Sequence, residues 1–238
     1  MFLKKLFIHI PKNAGMTIRR SDVLMDKIHH VHVPEELVSK QYYENLKNKM
    51  IQTKFAPPGN PTSAQVGIGH CRWRDVNVSL KNSMDCFAVI RNPWSRTVSR
   101  YFFAKKLIEV EKKDPVGRYA IDSFESFLEE RFKWGDQDFF WHRAVAGWYQ
   151  QKDYVVDEND NLKCDILRFE KLNSDTCLYF KVPQMTGPRN VTGLNKENYQ
   201  SLYTPKTIQI IADWYKEDIE YFGFDFDTSA TKNYWNKV

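Results

Sequence analysis

No apolar run in the 238-residue chain is long enough to cross a bilayer. Residues 6–10 form the one apolar stretch near the N-terminus, with His9 inside it and Lys12 close behind. That is too short for a signal h-region or a membrane span. The four cysteines, Cys71, Cys86, Cys164 and Cys177, include no Cys-x-x-Cys pair. This argues against a zinc site or a disulfide framework and fits reduced, structural thiols. A net charge of +5, from 35 basic and 30 acidic residues, comes without any dense Lys/Arg block. Such a balance suits an anionic ligand and gives little support to nucleic-acid binding. Internal repeats, low-complexity tracts and a carboxylate cluster suggesting a metal are also missing. What is left is a soluble, cytoplasmic protein. At 42% hydrophobic content, residues 1–238 can bury one substantial core as a single domain.

What is present is concentrated first at residues 4–17. Leu6, Phe7, Ile8 and Ile10 read as a short buried strand, which Pro11 ends because it lacks a backbone donor. Lys12, Asn13, Ala14, Gly15, Met16 and Thr17 follow, and a helix is expected over 17–25. A strand feeding a tight turn into a helix N-terminus gathers unpaired N–H groups where the helix dipole favours negative charge. Small side chains at Ala14 and Gly15 let an anion approach the backbone. Lys12 adds a point charge and Thr17 a hydroxyl, while Met16 offers only its N–H. The turn is not a Walker A loop, in which lysine follows the glycines; here lysine comes first. An ordinary strand-to-helix turn with an exposed lysine is the alternative at this point.

A second anion site is expected at residues 86–101. Cys86, Phe87, Ala88, Val89, Ile90 and Arg91 read as a central parallel strand. Asn92 can cap the next helix, with Pro93 at its first position. Arg96 and Ser99 share a face of that helix, and Arg91 stands just ahead at the strand tip. An arginine fork with a hydroxyl at one helix entrance suits a phosphate monoester.

Together these motifs resemble a known family. Pro11-Lys12-x-x-Gly15-x-Thr17 is similar to the 5′-phosphosulfate loop of sulfotransferases that use 3′-phosphoadenosine 5′-phosphosulfate (PAPS). Arg91-Asn92-Pro93-x-x-Arg96-x-x-Ser99 looks like their 3′-phosphate motif, and it lies C-terminal to the loop as in that family. The chain resembles the carbohydrate and heparan-type members, as a short soluble form.

Weaker echoes run along the rest of the chain. Residues 66–70 read as a short strand ending in Gly69-His70, similar to the position that supplies the proposed general base in carbohydrate sulfotransferases. A structural histidine capping the strand is the other reading of His70. Residues 28–33 alternate like a strand, with His30 and His32 on one face; an ordinary strand is favoured over a metal pair, since no third ligand stands at a recognisable spacing. Polar residues 35–49 read as a helix and 56–61 as a loop. Further helices are expected over 102–113, extending the one from Pro93, and over 122–132 and 139–149. The last is strongly aromatic and contains His142 and Arg143. Aromatics at helical spacing read first as core, although the family builds its acceptor pocket there. Residues 153–156 read as a strand, 157–161 as a polar turn and 165–172 as a strand end similar to the family's Arg-Phe-Glu-x-Leu stretch. Arg189-Asn190-Val191-Thr192, in a loop over 185–194, is similar to the Asn-x-Ser/Thr loop that closes over the nucleotide. Thr204 and Pro205 start a last helix with an apolar stripe from Ile208 to Phe222, ended by Gly223. Its Tyr215-x-x-Asp218-x-x-x-Phe222-Gly223-Phe224 is similar to the family's ending.

Alternating strands and helices with a phosphate loop after the first strand predict a three-layer α/β sandwich with a mainly parallel sheet. The resemblance implies its P-loop-NTPase-like version. It also implies PAPS as sulfuryl donor with no metal, and a carbohydrate or small-molecule acceptor offering a hydroxyl, or less readily an amine. Lys12 then acts on the leaving oxygen, His70 as base, and Arg91 and Ser99 on the 3′-phosphate. Two other functions share much of this pattern. A small-molecule kinase of P-loop type calls for Gly-Lys-Ser/Thr and a Mg²⁺-holding aspartate, neither of which is evident. A non-catalytic nucleotide-binding protein would hold PAPS without turnover.

Overall fold

The computed structural model describes residues 4–29, 34–53, 67–111, 119–135, 137–141, 146–185, 199–227 and 230. Four strands form one sheet, β1 (Lys5–Ile8), β2 (Ile28–His29), β3 (Cys86–Ile90) and β4 (Cys164–Arg168). All pairs are parallel and the order is β2-β1-β3-β4. Leu6 stands opposite Cys86 and Ile8 opposite Ala88, while β3 and β4 stay in register from Cys86–Cys164 to Ile90–Arg168. Every residue of β3 is buried, as a strand covered on both faces requires.

Side chains alternate between two cores because the strand period is two. Leu6, Ile8, Ile10, Cys86, Ala88, Ile90, Cys164 and Ile166 face one layer. Phe87, Val89 and Leu167 face the other, with Ile18, Leu24 and Phe180. The larger layer is built on α3 (Lys40–Gln52), α5 (Pro93–Lys105), α6 (Phe124–Trp134) and the C-terminal pair α8 (Pro205–Trp214) and α9 (Lys216–Phe222). The smaller carries α1 (Gly15–Arg19) and α7 (Leu172–Phe180). Short helices α2 (Pro34–Leu37) and α4 (Val78–Ser83) are the remaining ones among the described residues. This is the expected three-layer α/β sandwich, with the P-loop-NTPase-like architecture. Among the described residues no helix is long and apolar enough to cross a membrane.

Several elements differ from the sequence reading. Residues 67–70 are not a strand, and residue 66 lies outside the described residues: Gly67 is left-handed (φ 72°), and Ile68–His70 is a 3₁₀ turn that brings the His70 ring to His9 O beyond β1. The expected aromatic helix over 139–149 is absent as a continuous element: Ala146–Trp148 is a single 3₁₀ turn and residues 139–141 are non-helical. Those aromatic side chains mark burial, not helical period. His142 and Arg143 lie outside the described residues, as do His30 and His32. In place of a strand at 153–156 stands the 3₁₀ turn Lys152–Tyr154, with one antiparallel bridge between Val156 and Leu162. Helix α1 ends at Arg19, and a separate 3₁₀ turn covers Asp22–Leu24. The helix expected over 35–49 breaks at Ser39, whose side chain accepts from Tyr42 N (3.2 Å) and caps α3. Helix α5 gives way to a π-helical turn at Lys106–Val110. Helix α7 occupies a stretch for which the sequence reading expected no element beyond Leu172, and the last helix breaks at Tyr215.

The order of connections positions the site. From β1 the chain goes to β2 on one side; from β3 it goes to β4 on the other. The C-terminal ends of β1 and β3 therefore flank a topological switch point, where open α/β sheets form their ligand crevice.

Candidate active site

The loop after β1 is a sharply turned segment. Lys12 (φ 70°) and Ala14 (φ 61°) both hold left-handed backbone, a conformation that costs a non-glycine residue about 1–2 kcal/mol. The surroundings enforce it. Asn13 is buried, and its Nδ2 donates to Val89 O of β3 (2.7 Å) and to Gln151 Oε1 (2.6 Å). Pro11 O accepts from Arg96 Nε (3.3 Å), and Lys12 O accepts from Arg91 Nη1 (3.1 Å). Asn13 N donates to Ile10 O and Thr17 N to Ala14 O. Among the described residues, the N–H groups of Ala14, Gly15 and Met16 donate to nothing. Successive N–H groups in such a turn form an anion-binding concavity. The Lys12 ammonium lies 4.3 Å from the Phe103 ring centroid of α5.

Asn92 explains how Arg91 reaches this loop. Its side chain accepts from Trp94 N (3.0 Å) and Ser95 N (3.2 Å), capping α5 as expected, and donates to Asp225 O (2.8 Å). Its own N–H is held by Glu170 Oε1 (2.8 Å). Arg91, at the tip of β3, stacks over Phe169 (4.0 Å) and donates from Nε to Ser95 Oγ (2.9 Å). Burial pushes its guanidinium down to about 10, with Glu170 opposing and Arg96 assisting; it remains a cation at neutral pH.

The expected fork of Arg91 and Arg96 is divided. Arg96 is buried and spends Nε on Pro11 O and Nη1 on Tyr149 O (3.1 Å). It clamps the scaffold. Ser99 is partly exposed one turn beyond Ser95, on the same helix face. Ser95, which the sequence reading passed over, is the hydroxyl that meets Arg91.

His70 is drawn to the end of β1. Its Nδ1 stands 2.8 Å from His9 O; a carbonyl can only accept, so Nδ1 donates, and in the neutral ring the lone pair is on Nε2. The ring stacks on Trp141 (5.0 Å, 10° between planes) and against His9 (4.1 Å). Gly67 makes room, since a Cβ there would meet the Trp141 ring at 1.9 Å. His9 itself is buried between His70 and Phe7 (5.4 Å), and its ring covers Gly15. Burial, then the neighbouring His70 and Arg19, hold His9 well below the usual imidazole range, so it is a neutral spacer at pH 7.

The structure therefore brings Lys12, Asn13, Ala14, Gly15, Met16 and Thr17 together with Arg91 and His70 at the switch point. Asn190 and Thr192 lie outside the described residues. Gln151 is the residue sequence reasoning missed. It has no periodic or motif signal, yet it joins Asn13, Arg91 and the C-terminal helix. No cluster of metal-ligating side chains occurs among the described residues.

No curated protein matches the chain. The Sulfotransferase family model matches residues 4–225, from the start of β1 past the C-terminal helix. That span takes in both anion-site motifs and the strands carrying them, and the chain belongs to the sulfotransferase family.

Proposed function

We propose that the protein transfers a sulfuryl group from PAPS to a hydroxyl, or to an amine, of a carbohydrate or small-molecule acceptor. The observation that carries this reading is the contact of Arg91 Nη1 with Lys12 O at 3.1 Å. It sets a partly buried guanidinium beside a loop with three undirected N–H groups and an ammonium. Two neighbouring anion sites suit a donor with a 5′-phosphosulfate and a 3′-phosphate on one ribose.

The residues then divide the work. Lys12 stabilises negative charge growing on the bridging oxygen, and the Ala14, Gly15 and Met16 N–H groups hold non-bridging oxygens. Asn13 and Thr17 keep the loop in shape. Arg91, with Ser99, holds the 3′-phosphate that distinguishes PAPS from ATP. His70 takes the acceptor's proton on Nε2, a contribution of roughly a hundred- to ten-thousand-fold. Asn190 and Thr192 close over the nucleotide on the strength of the resemblance alone. In-line geometry and neutralised leaving-group charge are the demands, as in phosphoryl transfer.

Thermal shift with three nucleotides tests this. Adenosine 3′,5′-bisphosphate should raise the melting temperature more than ADP or Mg-ATP. Arg91→Ala should remove most of the difference, since a desolvated charged hydrogen bond contributes about 1.5–3 kcal/mol. Equal shifts, or a larger one with Mg-ATP, would overturn the donor assignment.

A further inference from the structure

We propose that Asp218, on the C-terminal helix α9, is a positioning residue for the donor site and acts through the side-chain amide of Gln151. The inference rests on the donor reading above and adds to it a residue 127 positions from Arg91 in sequence.

Gln151 is fully buried and all four of its side-chain hydrogen-bonding positions are used. Oε1 accepts from Asn13 Nδ2 (2.6 Å) and from Arg91 N (2.9 Å). Nε2 donates to Arg91 O (2.9 Å) and to Asp218 Oδ2 (3.2 Å). Three of these partners belong to the donor site: the loop asparagine and both main-chain groups of Arg91. The fourth is a carboxylate with no exposed surface. Asp218 Oδ2 also accepts from Gln151 N (2.8 Å), and Oδ1 from Lys152 N (2.8 Å). The carboxylate thus fixes both the backbone and the amide of the same residue.

The amide has only one workable orientation. Turned over, its NH₂ would face the Asn13 NH₂ and the Arg91 N–H, and its oxygen would face the Arg91 carbonyl and the Asp218 carboxylate. A purely accepting group at 218 enforces the observed choice. An asparagine there has one acceptor oxygen for three N–H groups: with its oxygen toward Lys152, both Gln151 groups lose their partner and face an NH₂, and with its oxygen toward Gln151, the Lys152 N–H is left facing an NH₂. An error in the amide is passed directly to the spacing between the Asn13 loop and Arg91, because nothing stands between them and Gln151.

The experiment compares dissociation constants of adenosine 3′,5′-bisphosphate and adenosine 5′-phosphate by calorimetry, in wild type, Asp218→Asn, Gln151→Met and the double variant. The ratio of the two constants reads the 3′-phosphate contact specifically, and loss of general stability leaves it unmoved. It should fall about tenfold, the effect of misplacing one good polar contact, in each single variant. In the double variant it should fall no further, since the two residues act in series. An unchanged ratio in Asp218→Asn, with only a lower melting temperature, would overturn the proposal and leave the donor reading standing. So would a double variant whose loss is the product of the two singles. A wild-type protein with no preference for the bisphosphate would overturn the donor reading itself and the proposal with it. Should Asp218→Asn not fold, Gln151→Met carries the test, and an unchanged ratio there refutes the proposal equally.

Discussion

Replacing Gly15 by alanine places a methyl group where His9 already is. An ideal Cβ would stand 1.6 Å from His9 Nε2, 2.2 Å from Cδ2 and 2.4 Å from Cε1. The imidazole cannot swing aside freely, because it is buried between Phe7 and His70. Helix propensity alone argues the other way: alanine is better than glycine in a helix by about 1 kcal/mol. Forcing a methylene-sized group into a filled core costs about 1–3 kcal/mol, so the clash outweighs the propensity gain. For a chain of this length each kcal/mol moves the melting temperature by about 2–4 °C. Gly69→Ala is the control, since its Cβ would meet only Arg19 Nη1 at 3.9 Å. Denaturant melts of Gly15→Ala, Gly69→Ala, His9→Ala and the Gly15→Ala/His9→Ala pair decide the matter. The pair should be more stable than the sum of its singles by at least about 1 kcal/mol, since shrinking His9 makes room for the methyl. Gly15→Ala matching Gly69→Ala, or strict additivity in the pair, would refute the packing argument.

His9 also carries a pH dependence. Its folded value lies below the 6.5 of a free imidazole. Below pH 6.5 the unfolded chain therefore binds a proton that the folded chain does not, and stability falls as pH drops, with a slope of up to about 1.4 kcal/mol per pH unit. His9→Gln should flatten that limb in pH-dependent unfolding; an unaltered slope would assign the acid sensitivity elsewhere. Asp218 works in the opposite sense. Burial raises it from 3.8 to about 6, so the folded chain binds the extra proton between these values and stability falls as pH rises through that window. Asp218→Asn should remove this contribution, as paired melts near pH 4 and pH 6 would reveal. Lys12→Ala should depress turnover far more than affinity for adenosine 3′,5′-bisphosphate, and a variant with normal turnover at saturating donor would reduce Lys12 to a binding residue. His70→Ala should lower turnover and erase the acid limb of the rate profile while leaving that affinity intact; loss of affinity instead would make His70 a structural element of the loop.

The sequence by itself was sufficient wherever neighbours in the chain decide the conformation. The Asn92–Pro93 start of α5 and the Thr204–Pro205 start of α8 both depend on groups within a turn of one another, whereas β1 ends at Ile8, short of the expected stop at Pro11. The two helix starts were legible because capping and backbone restriction are local forces. The parallel three-layer fold followed from the alternation of those elements. Tertiary structure alone decided the rest. His70 reads as a strand end in sequence, but its position comes from a left-handed Gly67 and a hydrogen bond to His9, 61 residues away. Arg96 reads as half of a phosphate fork, yet the carbonyls of Pro11 and Tyr149 claim its guanidinium. The aromatic run at 139–149 reads as a helix because burial and helical period look alike in a string of large side chains. Gln151 carries no local signal, and Asp218 shows in sequence only as part of the Tyr215-x-x-Asp218 pattern, which says nothing of its partners. Their roles exist only once the folded chain brings Asn13, Arg91 and α9 within hydrogen-bond distance in a dry interior. There, unlike in water, no solvent stands ready to replace a hydrogen bond that goes unmade.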